Sequence, residues 1–343
     1  MKIKKVALIT GSSGFIGFHL AKFLLSYDWK IIGLDAMTDY YDVNLKNARQ
    51  KLLCENLNFY NYKGLVQDTK LLNEIYSLHK PNIVIHLAAQ AGVRYSIENP
   101  ISYVESNLIG TFHILEMARK YKPDHLLMAS TSSVYGSNRD MPLHETQKCD
   151  TQMSFYAATK KSNEAMAHSY SHLYDIPTTM FRFFTVYGPW GRPDMALFKF
   201  TKNILSGKSI EIYNRGNMVR DFTYIDDLVN SVLLLTSEIP SKANKRKDVI
   251  KNDSISDVAP FRIVNIGNSQ PINLLDYVKE LENVLGKVAE KIFLGMQDGD
   301  IHKTHSNINL LKALTGFESK TNIHEGISQF VKWYRSYYLN KSI

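Results

Sequence analysis

Tyr156 and Lys160 stand one helical turn apart in the run Ser154-Phe155-Tyr156-Ala157-Ala158-Thr159-Lys160. A helix there puts a phenol and an ammonium on one face. A free phenol titrates near ~10 and is a poor base at neutral pH, whereas a neighbouring ammonium favours its phenolate electrostatically. Such a pair can take a proton from an alcohol and give it back. The hydroxyls of Thr131-Ser132-Ser133 precede the pair and complete what resembles an oxidoreductase centre. Spacing alone does not single it out, because Tyr76 and Lys80, and Tyr337 and Lys341, repeat it. On an ordinary helix each would be a surface pair.

The elements around each pair choose among them. Short apolar runs at Val6 to Thr10, Lys30 to Asp35, Leu57 to Tyr62, Ile83 to Ala88, His125 to Ala129 and Thr178 to Phe183 alternate with helical patterns. Their length and β-branched content predict strand-helix units. The fold class is therefore α/β, a doubly wound parallel sheet (Rossmann-like) covered on both faces. The second half predicts helices at about 194 to 206, 225 to 236, 273 to 285 and 323 to 338. It also predicts short strands near 210 to 213, 262 to 266 and 290 to 294. That is too little strand for a second sheet of equal size. The expected division is a dinucleotide-binding unit over 1–182 and an interlocked, smaller mixed α/β substrate-binding cap over 183–343, with a cleft between them.

Bulk properties exclude several alternatives. At 343 residues, with 44% hydrophobic and 22% charged residues, the chain can bury a large core and has no disordered composition. The net charge of +8 is spread along the chain. Its one dense cluster, Lys242, Lys245, Arg246, Lys247 and Lys251, lies in a polar segment from about 240 to 259. That segment reads as a solvated, mobile loop and not as a nucleic-acid patch. Cys54 and Cys149 offer neither a metal spacing nor a disulfide framework. No apolar run approaches the ~20 residues of a membrane span, and Lys2-Ile3-Lys4-Lys5 leads straight into a strand. A cytoplasmic protein, with neither a metal nor a membrane partner, is expected.

The first strand runs into Gly11-Ser12-Ser13-Gly14-Phe15-Ile16-Gly17 and a helix. Gly11 permits a tight turn, Gly14 lets backbone approach a pyrophosphate, Gly17 allows close helix packing, and the helix N-terminus faces phosphate charge. Asp35 ends the second strand, where a carboxylate accepts from adenosine ribose hydroxyls and repels a phosphate. No Arg follows it directly, so NAD is expected over NADP. Ala88-Ala89-Gln90-Ala91-Gly92, after strand four, is small enough for backbone to pass close to a ribose or nicotinamide. Thr131 to Ser133 and Tyr156 fall at the same carboxyl edge of the sheet, and the other two Tyr/Lys pairs do not. Helix or turn capping is the competing use of those hydroxyls.

At this point the sequence resembles the extended short-chain dehydrogenase/reductase superfamily, and within it the UDP-glucuronate 4-epimerases. The resemblance is carried by TGSSGFIGFHLA (10 to 21), DYYDVNLK (39 to 46), HLAAQAGVRYSIENP (86 to 100), YAATKKSNE (156 to 164), RFFTVYGPWGRPDMALFKFTK (182 to 202), RDFTYIDD (220 to 227) and NIGNSQP (265 to 271). It implies NAD-dependent epimerisation at C4 of UDP-glucuronate. Tyr156 is the base, Lys160 tunes it and binds the nicotinamide ribose, and Thr131 assists. The implied cofactor set is Gly11, Ser13, Gly14, Phe15, Ile16, Gly17, Asp35, Asp68, Leu87, Ala88, Ala89, Gln90, Asn107, Ser130, Tyr156, Lys160 and Tyr187. The implied substrate set is Arg94, Thr131, Ser132, Ser133, Thr185, Arg192, Arg220 and Asp300.

Thr131, Ser132, Ser133 and Thr185 suit a carboxylate without adding an acid or base. The superfamily's decarboxylases usually carry Glu where Ser133 stands, and its 4,6-dehydratases carry Asp-Glu where Ser132-Ser133 stands. Two departures bear on affinity. The family's Gly-Asp after strand three, which holds the adenine amino group, reads Gly64-Leu65, leaving backbone near Val66 or Asp68 as the substitute. Its Gln-Pro-Gly-Asp loop reads Gln297-Asp298-Gly299-Asp300. Alternative readings are a UDP-glucose or UDP-N-acetylhexosamine 4-epimerase, a UDP-glucuronate decarboxylase, or a non-catalytic NAD-binding sensor. The resemblance also implies a homodimer through helices at about 98 to 121 and 154 to 174. There Ile109, Phe112, Leu115, Met166 and Tyr170 fit either an interface or a core face. A role in polysaccharide biosynthesis fits the same family.

Overall fold

The computed structural model describes residues 5–242, 250 and 252–339. Lys2, Ile3, Lys4, Lys245, Arg246, Lys247, Lys251 and Lys341 lie outside the described residues. The first part of the chain runs β1 (Val6–Thr10), α1 (Phe15–Ser26), β2 (Lys30–Asp35), α2 (Val43–Cys54), β3 (Phe59–Lys63), α3 (Thr69–His79), β4 (Ile83–His86), α4 (Tyr95–Glu98), α5 (Pro100–Tyr103), α6 (Gly110–Tyr121), β5 (His125–Thr131), α7 (Phe155–Tyr174) and β6 (Thr178–Phe183). A π-helical turn, Val104–Ile109, joins α5 to α6. The remainder runs β7 (Thr185–Tyr187), α8 (Ala196–Leu205), β8 (Ile210–Ile212), β9 (Val219–Tyr224), α9 (Ile225–Leu235), β10 (Phe261–Ile266), β11 (Pro271–Asn273), α10 (Leu274–Leu285), β12 (Lys291–Phe293), α11 (Asn309–Thr315) and α12 (Ile323–Tyr334).

Seven strands form one parallel sheet in the order β3-β2-β1-β4-β5-β6-β10. The central strands are continuous apolar runs because both faces are covered: Ala7, Leu8, Ile9, Ile31, Ile32, Val84, Ile85, Leu126 and Leu127 are all fully buried. Strand order reverses between β1 and β4, which opens a crevice at their carboxyl ends, the usual ligand position in such sheets. The third strand starts later than its sequence pattern predicts, because Leu57 is 95% exposed and the pairing with β2 begins at Phe59.

The 183–343 half gives β10 to this main sheet, in the register Phe261↔Thr178 to Ile266↔Phe183. Its other strands make a small mixed sheet, β11-β9-β7, and a parallel pair, β12-β8. Part of the expected solvated loop is instead core. Asp253 makes a buried two-pronged pair with Arg262, with both bonds at 3.0 Å, and Ile255 and Ala259 are buried beside it. Lys242 is exposed and paired with Asp175.

Helix α7, which carries both members of the Tyr156/Lys160 pair, starts at Ser154, whose side chain accepts from Ala157 N at 3.1 Å. That is an ordinary N-cap. Among the apolar positions expected at a helical interface, Ile109 and Phe112 are exposed, whereas Leu115 is fully buried and belongs to the core. The Tyr170 hydroxyl donates to Glu116 at 2.7 Å. Among the described residues no helix is long and apolar enough to cross a membrane. Both cysteines are free thiols, with Cys54 exposed and Cys149 buried.

Candidate active site

The end of β5 and the first turns of α7 bring the predicted pair together with its hydroxyls. Lys160 is buried and donates from Nζ to the Ala129 carbonyl at 2.9 Å. Desolvation pulls its pKa down to about 8, so its charge is retained at neutral pH but weakly held. The half-buried Tyr156 phenol is pushed up by burial, and a hydrogen bond with Thr131 and the charge of Arg192 oppose that rise. Thr131 also caps the short 3₁₀ turn Ser132–Tyr135, accepting from Ser133 N at 3.2 Å while its hydroxyl faces Ser133 Oγ at 3.3 Å. The other two pairs go elsewhere. Tyr76 is fully buried in the core, and Lys80 ends α3 in a left-handed conformation. Tyr337 packs on Trp190 with ring centroids 4.9 Å apart.

Behind the pair lies a fixed polar layer. Asn107, on the π-helical turn, donates to Gln90 O (3.0 Å) and Thr159 Oγ1 (3.1 Å), and accepts from Gln90 N (2.8 Å). Its side chain pins the Gln90 backbone to α7 and so positions the site. The Ser130 hydroxyl donates to Glu164 at 2.7 Å, and Glu164 is gripped by Arg182 through two bonds of 2.9 Å. That buried network holds β5, α7 and β6 together, and the Ser130 side chain belongs to it.

The glycine-rich loop has the geometry a dinucleotide requires. Gly11 has φ +74°, and a Cβ there would meet Ala88 N at 2.9 Å; at Gly17 it would meet Gly11 O at 2.1 Å. No side chain caps the N-terminus of α1, and Ser13 Oγ is buried with no partner among the described residues. Asp35 accepts from Ser13 N at 2.9 Å and Met37 N at 2.8 Å, which places its carboxylate against the loop. Thr10 Oγ1 bonds Leu87 N (3.2 Å) and Ala88 N (3.1 Å), so the Leu87-Ala88-Ala89 segment is held beside the loop. Phe15 and Ile16 pack on the main core. Free first-turn N–H groups, an orphaned hydroxyl and a cradle closed to any Cβ fit a dinucleotide diphosphate.

Two expected cofactor contacts are narrowed. Asp68 caps α3, its Oδ1 accepting from Lys70 N and Leu71 N at 3.0 Å, so one carboxylate oxygen is committed to the helix and only Oδ2 is left for an adenine amino group. The Tyr187 ring is buried against Phe222, Tyr224 and Tyr277, which leaves only its backbone for a ligand. Leu65 is 52% exposed and supplies no acceptor; two residues on, Gln67 Oε1 is buried and unpartnered.

On the cap side, Arg192 makes a two-pronged pair with Asp194, 3.0 Å from Nε and 2.5 Å from the terminal nitrogen, and Tyr40 OH donates to the same carboxylate at 3.2 Å. Arg94 pairs with Asp300 at 3.1 Å and stacks over the Tyr213 ring at 4.2 Å. Arg220 donates to the Val219 and His302 carbonyls at 3.0 and 3.1 Å, and burial lowers its pKa while Asp300 raises it. Gly299, at φ +76°, sets the 297–300 loop against Val93 and the Met153 carbonyl, directly above the start of α7. Thr185 starts β7 opposite Phe222. Arg94, Arg220 and Asp300 therefore share one wall, and Arg192 stands on a second. Sequence reasoning missed Tyr40, Asp194 and the buried Arg49; of these, Tyr40 lies in the DYYDVNLK run and Asp194 in the RFFTVYGPWGRPDMALFKFTK run that carried the resemblance, and Arg49 lies in neither.

Comparison with known proteins agrees with this geometry. Residues 7–250 match the model of the NAD dependent epimerase/dehydratase family. The chain is 50% identical to a probable UDP-glucuronate 4-epimerase of Rhizobium meliloti, over 96% of this chain and 97% of the relative. It is 44% identical to UDP-glucuronate 4-epimerase 4 of Arabidopsis thaliana, over 96% and 75%. A crystal structure of UDP-glucuronic acid 4-epimerase from Bacillus cereus, in complex with UDP-glucuronic acid and NAD, superposes with a TM-score of 0.85 at 30% identity, covering 97% of this chain and 100% of that one. This chain belongs to the NAD dependent epimerase/dehydratase family.

Proposed function

We propose that the chain interconverts UDP-glucuronate and UDP-galacturonate by NAD-dependent epimerisation at C4. The observation that carries this reading is the Tyr156/Lys160 face ending at Thr131, Ser132 and Ser133, with no free carboxylate among them. Glu164, one turn after Lys160 on the same helix, is committed to Arg182 and Ser130. Lys160, cationic at neutral pH, favours the Tyr156 phenolate, which takes the proton of the sugar 4-hydroxyl and returns it after the sugar has turned over. NAD, which the Gly11 to Gly17 loop and Asp35 would hold, would supply the acceptor for the C4 hydride and its source for return to the opposite face. Thr131, close enough to lower the phenol's pKa, stands beside it on the side of the sugar. Arg94, Arg192 and Arg220 supply the positive charge for the diphosphate.

Oxidation at C4 makes the uronate a β-keto acid, which loses carbon dioxide when the bond to its carboxylate aligns with the carbonyl π-system. Short donors at Thr131, Ser132, Ser133 and Thr185 hold the carboxylate out of that alignment and offer no acid. Exposed Ile109 and Phe112 on one helical face support a homodimer. Location in the cytoplasm and service to polysaccharide synthesis complete the reading.

Product NMR after feeding UDP-glucuronate to the NAD-loaded protein is the test. UDP-galacturonate should appear, and Tyr156→Phe should slow it by about 10²- to 10⁴-fold. Absence of that product, or full turnover by the variant, would overturn the reading.

A further inference from the structure

We infer that Arg49 is a positioning residue that fastens the substrate arginine Arg192 to the dinucleotide loop and so couples occupancy of the two sites. The inference rests on the epimerase reading for the identity of the two ligands.

Arg49, on α2, is fully buried. One terminal nitrogen donates to Ser13 O at 3.0 Å and Tyr41 OH at 2.8 Å; the other donates to Trp190 O at 2.6 Å and, more weakly, to Gly191 O at 3.4 Å. A single guanidinium thus joins the glycine-rich loop to the backbone immediately before Arg192. A second, independent link runs the same way: His19, one turn into the helix that follows the loop, bonds Pro189 O at 2.9 Å through Nε2. Phe18 packs on the Trp190 ring at 5.5 Å.

The turn so held is not one a chain adopts freely. Gly188 has φ +143° and Trp190 has φ +59°, a left-handed conformation that is costly for a residue with a bulky side chain. Carbonyl bonds to Arg49 and His19 over-determine it. Arg192 emerges from this turn, meets Asp194 and Tyr40, and its charge is felt at Tyr156.

The charge balance gives the link a direction. All four acceptors of Arg49 are neutral, its Nε has no partner, and among the described residues no carboxylate forms an ion pair with it. Lys46, one turn earlier on α2, is also buried and donates only to Thr38, at 2.7 and 3.0 Å. Asp35 and Asp39 act on Lys46 from a distance, but burial outweighs them and lowers its pKa. Two buried cations whose hydrogen-bond acceptors are all neutral are expensive, and an anionic diphosphate on the Ser13 loop lies within their field. Binding that anion favours the arrangement in which Arg49 also grips the 190–191 carbonyls. By linkage, the sugar nucleotide then favours cofactor binding by the same factor.

The test uses UDP as a non-reacting probe, titrated calorimetrically into NAD-stripped and NAD-loaded protein. NAD should tighten UDP binding by roughly fivefold or more in the parent, within the usual range of coupling. In Arg49→Lys, which keeps the charge but loses the fork, the ratio should fall toward one. In the parent alone, hydrogen exchange at residues 190–195 should slow when NAD is added, a readout that survives if the variant fails to fold. Equal UDP affinity with and without NAD in the parent, or unchanged exchange at 190–195, overturns the inference, as does full coupling in Arg49→Lys. A parent that epimerises UDP-glucuronate without this coupling refutes the link alone. Failure to epimerise refutes the activity and is scored separately.

Discussion

Replacing Lys160 with Met should make the NAD-free protein more stable while destroying its activity. Holding at about 8 a group that ordinarily titrates at 10.5 costs the folded cation about 3 kcal/mol at neutral pH. Met matches most of the stem's volume and carries no charge. Against the gain stands one lost hydrogen bond to Ala129 O, a net loss of about 1 kcal/mol. The expected balance is about 2 kcal/mol in favour of the variant at pH 7. Its pH dependence follows from the sign of the shift. The folded-state pKa lies below the unfolded one, so the penalty is full below about 8 and is relieved as pH rises toward 10.5. The advantage should therefore shrink to near zero by about pH 10. Urea unfolding of parent and variant at pH 7 and pH 10 measures it, and comparing the two proteins cancels the other titrating groups. A variant no more stable than the parent at pH 7, or a gap that stays constant with pH, would refute the desolvation argument.

Glu164→Gln should cost about 3 to 5 kcal/mol in urea unfolding, because it leaves the buried Arg182 without its anion. A loss below 1 kcal/mol would mean that Arg182 finds another partner. Ser133→Glu should divert part of the flux to decarboxylation, read as UDP-pentose by mass spectrometry; an unchanged product would deny the hydroxyls their role in restraining the carboxylate. Leu65→Asp should lower the dissociation constant of NAD roughly tenfold by supplying an acceptor at an exposed position. No change would show that Gln67 or backbone already serves.

The central strands and the nucleotide loop were legible because their causes are local. Unbroken apolar runs mark doubly covered strands, and closely spaced glycines mark a turn that no Cβ can enter. The bond from the Ser130 hydroxyl to Glu164 was legible too, because strand alternation alone sets that side chain on the face opposite Ala129 and Thr131. Asp68 likewise had a visible competing use, since an Asp before Thr69-Lys70-Leu71 is a cap sequence. Arg49 could not have been found this way. It lies in Lys46-Asn47-Ala48-Arg49-Gln50-Lys51, which reads as a solvated helix face, and three of its four acceptors are backbone carbonyls, as far as 142 positions away. Backbone acceptors leave no trace in side-chain identity. The same holds for Asn107, whose value comes from the π-helical turn that aims it at Gln90.

Because the edge strand β10 is drawn from within the 183–343 half, a ribosome must finish roughly 80 residues after β6 before the main sheet can close. At ~5–20 residues per second, the β6 edge of each nascent chain stays open for about 4 to 16 s. That edge is buried on both faces in the finished protein and, until β10 arrives, presents unpaired backbone of the kind that recruits stray strands. Nascent-chain yield should therefore be more sensitive to slow translation between 184 and 260 than to equal delays after 266.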